Sequence, residues 1–373
     1  MKTYFSPSRP VWRFSFGATL LGLLATGVAW SAPDLSDLPD YHPQQAVTGV
    51  MRSRGNDQMA ALLKRWEEGF QKHHPKVMFE DALKGSGSGM YGIEMRTADM
   101  ALMGRPINPF ERYGTYERGW AYPIEIEVAK GAAATPHKSP ATAIFVHKDN
   151  PLAKLTMKQL DGIFGAARTG GWIALSWNEK AARGPEGDIR TWGQLGVKGP
   201  LADQRIHVYG PPNRGAGEVS YFEGRVFGGA RIWNEDLREY PDRAKMMADL
   251  SEDPLGIAYA ALGQGTSGVK ALALAETEAG PFVEISNASV TNRSYPLTRS
   301  VYIYYTIDTP KAELSETRGD PRTKEFLRYI LSKEGQQEVV HEGSYLPLTA
   351  AVVREQLKKL DSKEEPPERA VLD

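Results

Sequence analysis

Between Ala46 and Gly104 the chain alternates between strand-like and helix-like patterning, and each change from strand to helix is marked by glycine. The run "AVTGVMRS" (46–53) reads as a strand. In the turn after it, Asn56 or Asp57 can cap a helix that carries Leu62, Leu63, Trp66 and Phe70 at helical spacing. "KVMFEDA" (76–82) reads as a second strand, "KGSGSGMYG" (84–92) leads into a helix with Met90, Ile93 and Met95, and "ADMALMG" (98–104) reads as a third strand. This β-α-β-α-β order predicts an α/β sheet whose ligand loops lie at strand ends.

The same logic extends along the chain. Strands are expected at 124–131, 141–148, 205–210, 255–262 and 300–307, and a helix over "LTMKQLDGIF" (155–164). Residues 165–202, rich in Gly, Ala and charge, read as an elaborated surface loop. "PPNRGAG" (211–217) is a second glycine-containing loop, opening onto a helix at "EVSYFEGRVF". Asp320 caps a further helix with Pro321 at its first position. The charged stretch 356–373 is expected to be flexible, and there is no internal repeat. Both glycine loops open helix N-termini, where orphan N–H groups and the positive helix end attract anions. Two such loops facing each other would form a cleft that closes around a small oxyanion.

Length and composition set the outer bounds. The 373 residues suffice for one large or two medium domains, and 41% hydrophobic with 24% charged residues is a globular composition. A net charge of −1 with mixed signs gives no reason to expect nucleic acid. Lys2, Arg9 and Arg13 precede the apolar run Phe16–Ala29, which is short against the roughly 20 residues of a membrane span. A basic start, a short apolar run and small residues at Ala29 and Ser31 predict a signal peptide cleaved after Ser31. Its removal takes three basic residues with it, so the balance 45 − 46 becomes 42 − 46, a charge near −4. Without cysteine the chain can be neither a lipoprotein nor disulfide-stapled, which points to a soluble periplasmic protein.

Other chemistries fit poorly. "GSGMYG" (87–92) matches G-x-G-x-x-G, but Gly85 is then unexplained, and Glu111, in a proline-flanked loop, cannot supply the acidic residue a dinucleotide needs. No serine stands in G-x-S-x-G, so Ser86 and Ser88 read as hydroxyl donors or caps. His73 and His74 close a helix before Pro75, and the other histidines lack ligand spacing. No cofactor, no metal and no catalytic constellation is expected.

Taken together, "HHPKV", "KGSGSG", "TADMALMGRP", "VHKDNPLAKLTMKQLDGIFG", "TWGQLG", "RIHVYG", "GIAYAAL" and "EFLRYILSKEGQQEVV" resemble the phosphate-type, PstS-like periplasmic substrate-binding proteins. The likeness runs from near Thr48 to near Leu357 and is most specific at Asn150-Pro151 and the helix after them. It implies a two-lobed type II fold: a signal peptide (1–31), a leader (32–45), lobe I (46–139 with 302–357), lobe II (140–301) and a charged tail (358–373). The chain would cross between lobes near 139–148 and 296–306, giving a hinge. It further implies a monomer that captures a small anion such as phosphate for an ABC permease in the inner membrane.

The family's oxyanion segments carry over unevenly. Ser86, with the backbone at Gly87 and Ser88, matches the glycine loop. Asp57 and Gln58 stand where a hydroxyl and an aromatic residue are usual, and Asp57 would repel an anion. At Gly104 some relatives have an aspartate, while others have a serine-arginine pair like Gly104-Arg105. The last segment usually holds an arginine and then Gly-Ser-Gly-Thr. Here Arg214, Gly215, Ala216, Gly217 and Glu218 retain the cation and both glycines but lose both hydroxyls. Each lost hydroxyl removes a bond to a charged acceptor worth about 1.5–3 kcal/mol. The resemblance therefore leaves open phosphate, another solute, or an altered site used in sensing or protein contact.

Overall fold

The structure, a computed structural model, describes residues 34–119, 122–135, 138–173, 176–212, 217–306 and 320–362. The expected signal peptide and the end of the charged tail lie outside the described residues. The strands are β1 (Gly49–Gly55), β2 (Val77–Leu83), β3 (Met100–Met103), β4 (Ile124–Gly131), β5 (Thr142–His147), β6 (Lys154–Thr156), β7 (Gly171–Ile173), β8 (Ser176–Asn178), β9 (His207–Gly210), β10 (Arg238–Glu239), β11 (Gly256–Ala261), β12 (Val269–Ala271), β13 (Ala273–Ala275), β14 (Ser300–Tyr305) and β15 (Tyr345–Leu346). The helices are α1 (Ala60–His73), α2 (Ser86–Glu94), α3 (Pro109–Gly119), α4 (Met157–Phe164), α5 (Gly217–Val226), α6 (Arg243–Ser251), α7 (Asn287–Thr291), α8 (Pro321–Ile330), α9 (Lys333–Glu342) and α10 (Ala350–Asp361).

Two sheets organise these elements. The first is six-stranded in the order β15-β4-β14-β3-β1-β2, and the second is five-stranded in the order β10-β9-β11-β5-β12. β1 runs parallel to β2 and β3, while β14 is antiparallel to both β3 and β4. The chain leaves the first sheet after Gly131, enters the second at Thr142, and returns to the first at Ser300.

Both faces of each sheet are covered, so central strands are apolar at successive positions. In β3, Met100 and Leu102 join the core formed with Trp66, Phe70 and Phe326, while Ala101 and Met103 face Met90 and Ile93 of α2. In β11, Ile257 and Tyr259 pack with Phe164 and Phe222, and Ala258 and Ala260 with Met246 and Leu250. The expected helix stripe Leu62, Leu63, Trp66 and Phe70 is buried. Trp66 fixes α1 to α9 by donating from Nε1 to the Gly335 carbonyl at 2.8 Å.

Three segments are more integrated than their composition suggests. In the leader, the Tyr41 hydroxyl donates to Glu325 Oε1 and also meets His74 Nε2, each at 2.8 Å. The presumed surface loop after α4 holds the β7–β8 hairpin and inserts the fully buried Trp192 into the second core. Arg168 straps the loop down by donating from both Nη atoms to Asp161, each bond 2.8 Å. The charged tail is helical as far as Asp361, because Val352, Val353, Gln356 and Leu360 form a buried stripe behind its charges.

One buried carboxyl in α1 makes stability pH-dependent. The Glu67 side chain is 2% exposed, and its carboxyl is pushed from 4.5 up to about 8 by burial and by the neighbouring Asp81. The native state then binds a proton that the unfolded state has released, so stability falls as pH rises from 4.5 through about 8. Glu67→Gln should flatten that fall and raise stability at pH 8.5 by about 2 kcal/mol. Urea unfolding of both proteins at pH 5.5 and 8.5 checks this, and parallel pH profiles would refute it.

Candidate functional site

The register of the first sheet brings three loops to one edge. Gly55, the last residue of β1, stands opposite Leu83 of β2 and Leu102 of β3, so the three parallel strands end at one level. Their loops start at Asn56, Lys84 and Gly104. A parallel sheet binds ligands at the carboxyl ends of its strands, where the connections diverge to either side of a central strand. β1 is that strand, with β2 on one side and β3 on the other.

The glycines of "KGSGSGMYG" have separate roles. Gly85 takes φ +91°, a turn conformation costly for other residues, and open space lies beside both it and Gly87. A Cβ at Gly89 would lie 3.1 Å from Ala101 Cβ, and one at Gly92 would lie 2.7 Å from Arg54 Cγ, so these two allow α2 to lie close on the sheet. Ser86 opens α2, and its Oγ accepts from the Gly104 N–H at 3.1 Å, leaving the hydroxyl proton to donate elsewhere. Ser88 turns its hydroxyl back onto the Gly85 carbonyl at 2.8 Å.

Gly104 is where the parts meet. A Cβ there would fall 2.3 Å from Asn56 Nδ2 and 2.5 Å from Ser139 Oγ. The Gly104 carbonyl accepts from Arg299 Nη2 at 2.9 Å. Asn56, rather than Asp57, is the cap: its side chain accepts from the Gln58 N–H at 3.0 Å, and Asp57 lies exposed in the first turn. Gln58 joins this loop to the first crossing, accepting from the Ser139 N–H at 3.1 Å on its side chain and from Lys138 Nζ at 3.0 Å on its carbonyl.

The charges near this junction are mostly paired. Arg105 donates from both Nη atoms to Glu111, at 2.8 and 2.7 Å. Burial works against its charge, but Glu111 outweighs burial and holds the guanidinium above its usual range. From the second sheet, α5 begins at Gly217, where an added Cβ would stand 3.8 Å from Arg299 Nη2 and 3.9 Å from Arg105 Cδ. The N-terminus of α5 thus faces the Gly104 loop. Glu218 pairs with Arg243 at 3.4 Å, so the carboxylate expected to repel an anion has a counter-ion. Arg214, Gly215 and Ala216 lie outside the described residues.

Patterning in the sequence offered Asn56 only as one of two cap candidates and did not single out Arg299, Ser139 or Arg243. Arg299 leaves one trace, a lone cation just before the apolar alternation of "SVYIYY". Beside the junction a cavity of about 590 Å³ separates Ile107, Phe110 and Tyr304 from Tyr221, Arg225 and Ile232.

Comparison with known proteins shows the family to which this fold belongs. Residues 42–334 match the PBP superfamily domain. The phosphate-binding protein PstS of Pseudomonas aeruginosa is 33% identical over 324 residues, covering 87% of this chain and 90% of that protein. Among solved structures, PstS from Borrelia burgdorferi superposes with a TM-score of 0.53 at 16% identity, covering 80% of this chain and 99% of that one. An ABC-type phosphate transport receptor from Vibrio cholerae gives a TM-score of 0.51 at 20% identity, covering 79% and 99%. The two structures support the fold, and the match at 33% identity supports the family. The chain belongs to the PBP superfamily and, within it, to the PstS-like family of substrate-binding proteins.

Proposed function

We propose that this chain is a periplasmic solute-binding protein that captures a small oxyanion, phosphate first among them, and presents it to an ABC permease. The observation that carries this reading is the meeting of the β1, β2 and β3 loop edge with the N-terminus of α5 around Gly104. The names of the relatives, phosphate-binding proteins and a phosphate transport receptor, favour phosphate as the ligand.

In this reading the protein is a monomer, exported through a cleaved signal peptide, and it performs no chemistry on its cargo. Ser86 and the backbone of Gly87 donate from one side, while Ser88 keeps both its N–H and its hydroxyl on the Gly85 carbonyl and shapes the loop. Gly217 and the segment Arg214–Ala216 donate from the other, with Arg105 at the rim and Asp57 and Glu218 flanking. Helix N-termini stabilise negative charge there without a proton transfer. The two chain crossings act as the hinge, and an anion touching both sides shifts the population toward the closed form.

Calorimetric titration of ligand-stripped protein with phosphate, sulfate and methylphosphonate tests the proposal. Heat and a raised Tm are expected with phosphate, and Ser86→Ala should weaken binding about tenfold, the loss of one bond to a charged acceptor. Absence of heat and of any thermal shift with all three anions would refute it.

A further inference from the structure

We infer that Arg299, on the return crossing between the two sheets, is the cation that holds the anion's charge and couples capture to closure. The inference rests on the functional reading above and names the residue on which the site depends.

Arg299 is only 8% exposed, and among the described residues it forms no ion pair with a carboxylate. A buried guanidinium with no carboxylate in contact is costly, and burial pulls its pKa down despite the opposing charge of Glu218. The nearby carboxylates are committed elsewhere, Glu111 to Arg105 and Glu218 to Arg243. Nη2 of Arg299 is held on the Gly104 carbonyl, whereas its Nε is buried and has no partner among the described residues. A buried donor left unmade is expensive, so its persistence in the fold calls for an acceptor that arrives from outside.

The surroundings identify that acceptor as an anion. Nη2 lies 3.8 Å from where a Cβ on Gly217 would be, at the positive end of α5, and Ser86 is bonded to the same Gly104 residue. An acceptor on Nε would therefore sit among a helix N-terminus, a free hydroxyl proton and a full positive charge. A planar guanidinium also matches oxyanion geometry. The Tyr221 ring lies under the guanidinium at 5.7 Å, and its hydroxyl donates to the Thr298 carbonyl. Arg299 thus stands between α5 and the strand β14 that it precedes. An anion bound there joins the second-sheet helix directly to the crossing, whereas Arg105 has its fork filled by Glu111.

The experiment compares wild type, Arg299→Lys and Arg299→Gln by calorimetric titration with phosphate, with circular dichroism and ligand-free Tm to establish folding. Arg299→Gln should weaken phosphate binding about 100-fold and Arg299→Lys about tenfold, since lysine retains charge but not the fork. A folded Arg299→Gln protein that binds within about threefold of wild type would overturn the assignment and leave the functional reading intact. If wild type binds none of the oxyanions, the functional reading fails and the assignment fails with it. Should the glutamine variant not fold, a crystal structure of wild type with phosphate decides. An oxygen within hydrogen-bond distance of Nε supports the assignment, and phosphate bound with Nε still unbonded overturns it.

Discussion

Gly55→Ala should destabilise the protein by about 4 kcal/mol, the sum of backbone strain and steric overlap. Gly55 adopts φ +130°, where side chains are strained, and an added Cβ would lie 2.1 Å from the Leu102 carbonyl oxygen. The clash is with backbone of the neighbouring strand, so no rotamer change can relieve it. The same carbonyl accepts the Asn56 N–H at 2.8 Å, which ties the end of β1 to β3 where the loop edge begins. The variant should therefore weaken the proposed phosphate binding along with stability. Urea unfolding and calorimetric titration measure the two losses, and a stability change below about 1 kcal/mol would show that the strand ends can separate cheaply.

Trp66→Ala should cost a similar amount, about 3–5 kcal/mol, with no direct effect on ligand contacts. Trp66 is fully buried between α1, α8 and α9 in the first core, and its indole N–H reaches the Gly335 carbonyl. Truncation removes the largest side chain of that core and leaves a buried carbonyl without its donor. Trp66→Phe keeps most of the ring and loses the hydrogen bond, so about 1.5 kcal/mol is expected. Equal losses in the two variants would mean that the hydrogen bond, not the packing, carries the effect.

The sites of these two effects differ in how far the sequence exposed them. Trp66 could be read from spacing, because Leu62, Leu63, Trp66 and Phe70 mark one helical face wherever the helix goes. Gly55 could be read only as part of a turn. Its need to lack a side chain comes from Leu102, a residue on another strand. The charged tail misled for a related reason. Its Lys and Glu residues dominate the composition, while Val352, Gln356 and Leu360 recur at four-residue steps and are buried.

Local patterning alone determined the two kinds of layer, the helix start at Asp320-Pro321, the strand 124–131 and the glycine loop's place between strand and helix. Those features depend on residues a few positions apart, whose periodicity and caps act before any long-range contact forms. The charge state of the site was decided by tertiary structure. Arg299 meets Gly104 across 195 residues, and Glu218 finds Arg243 across 25. Whether a charged side chain attracts an anion, repels it or is already neutralised depends on distances of a few ångströms and on burial, and only the folded chain sets those.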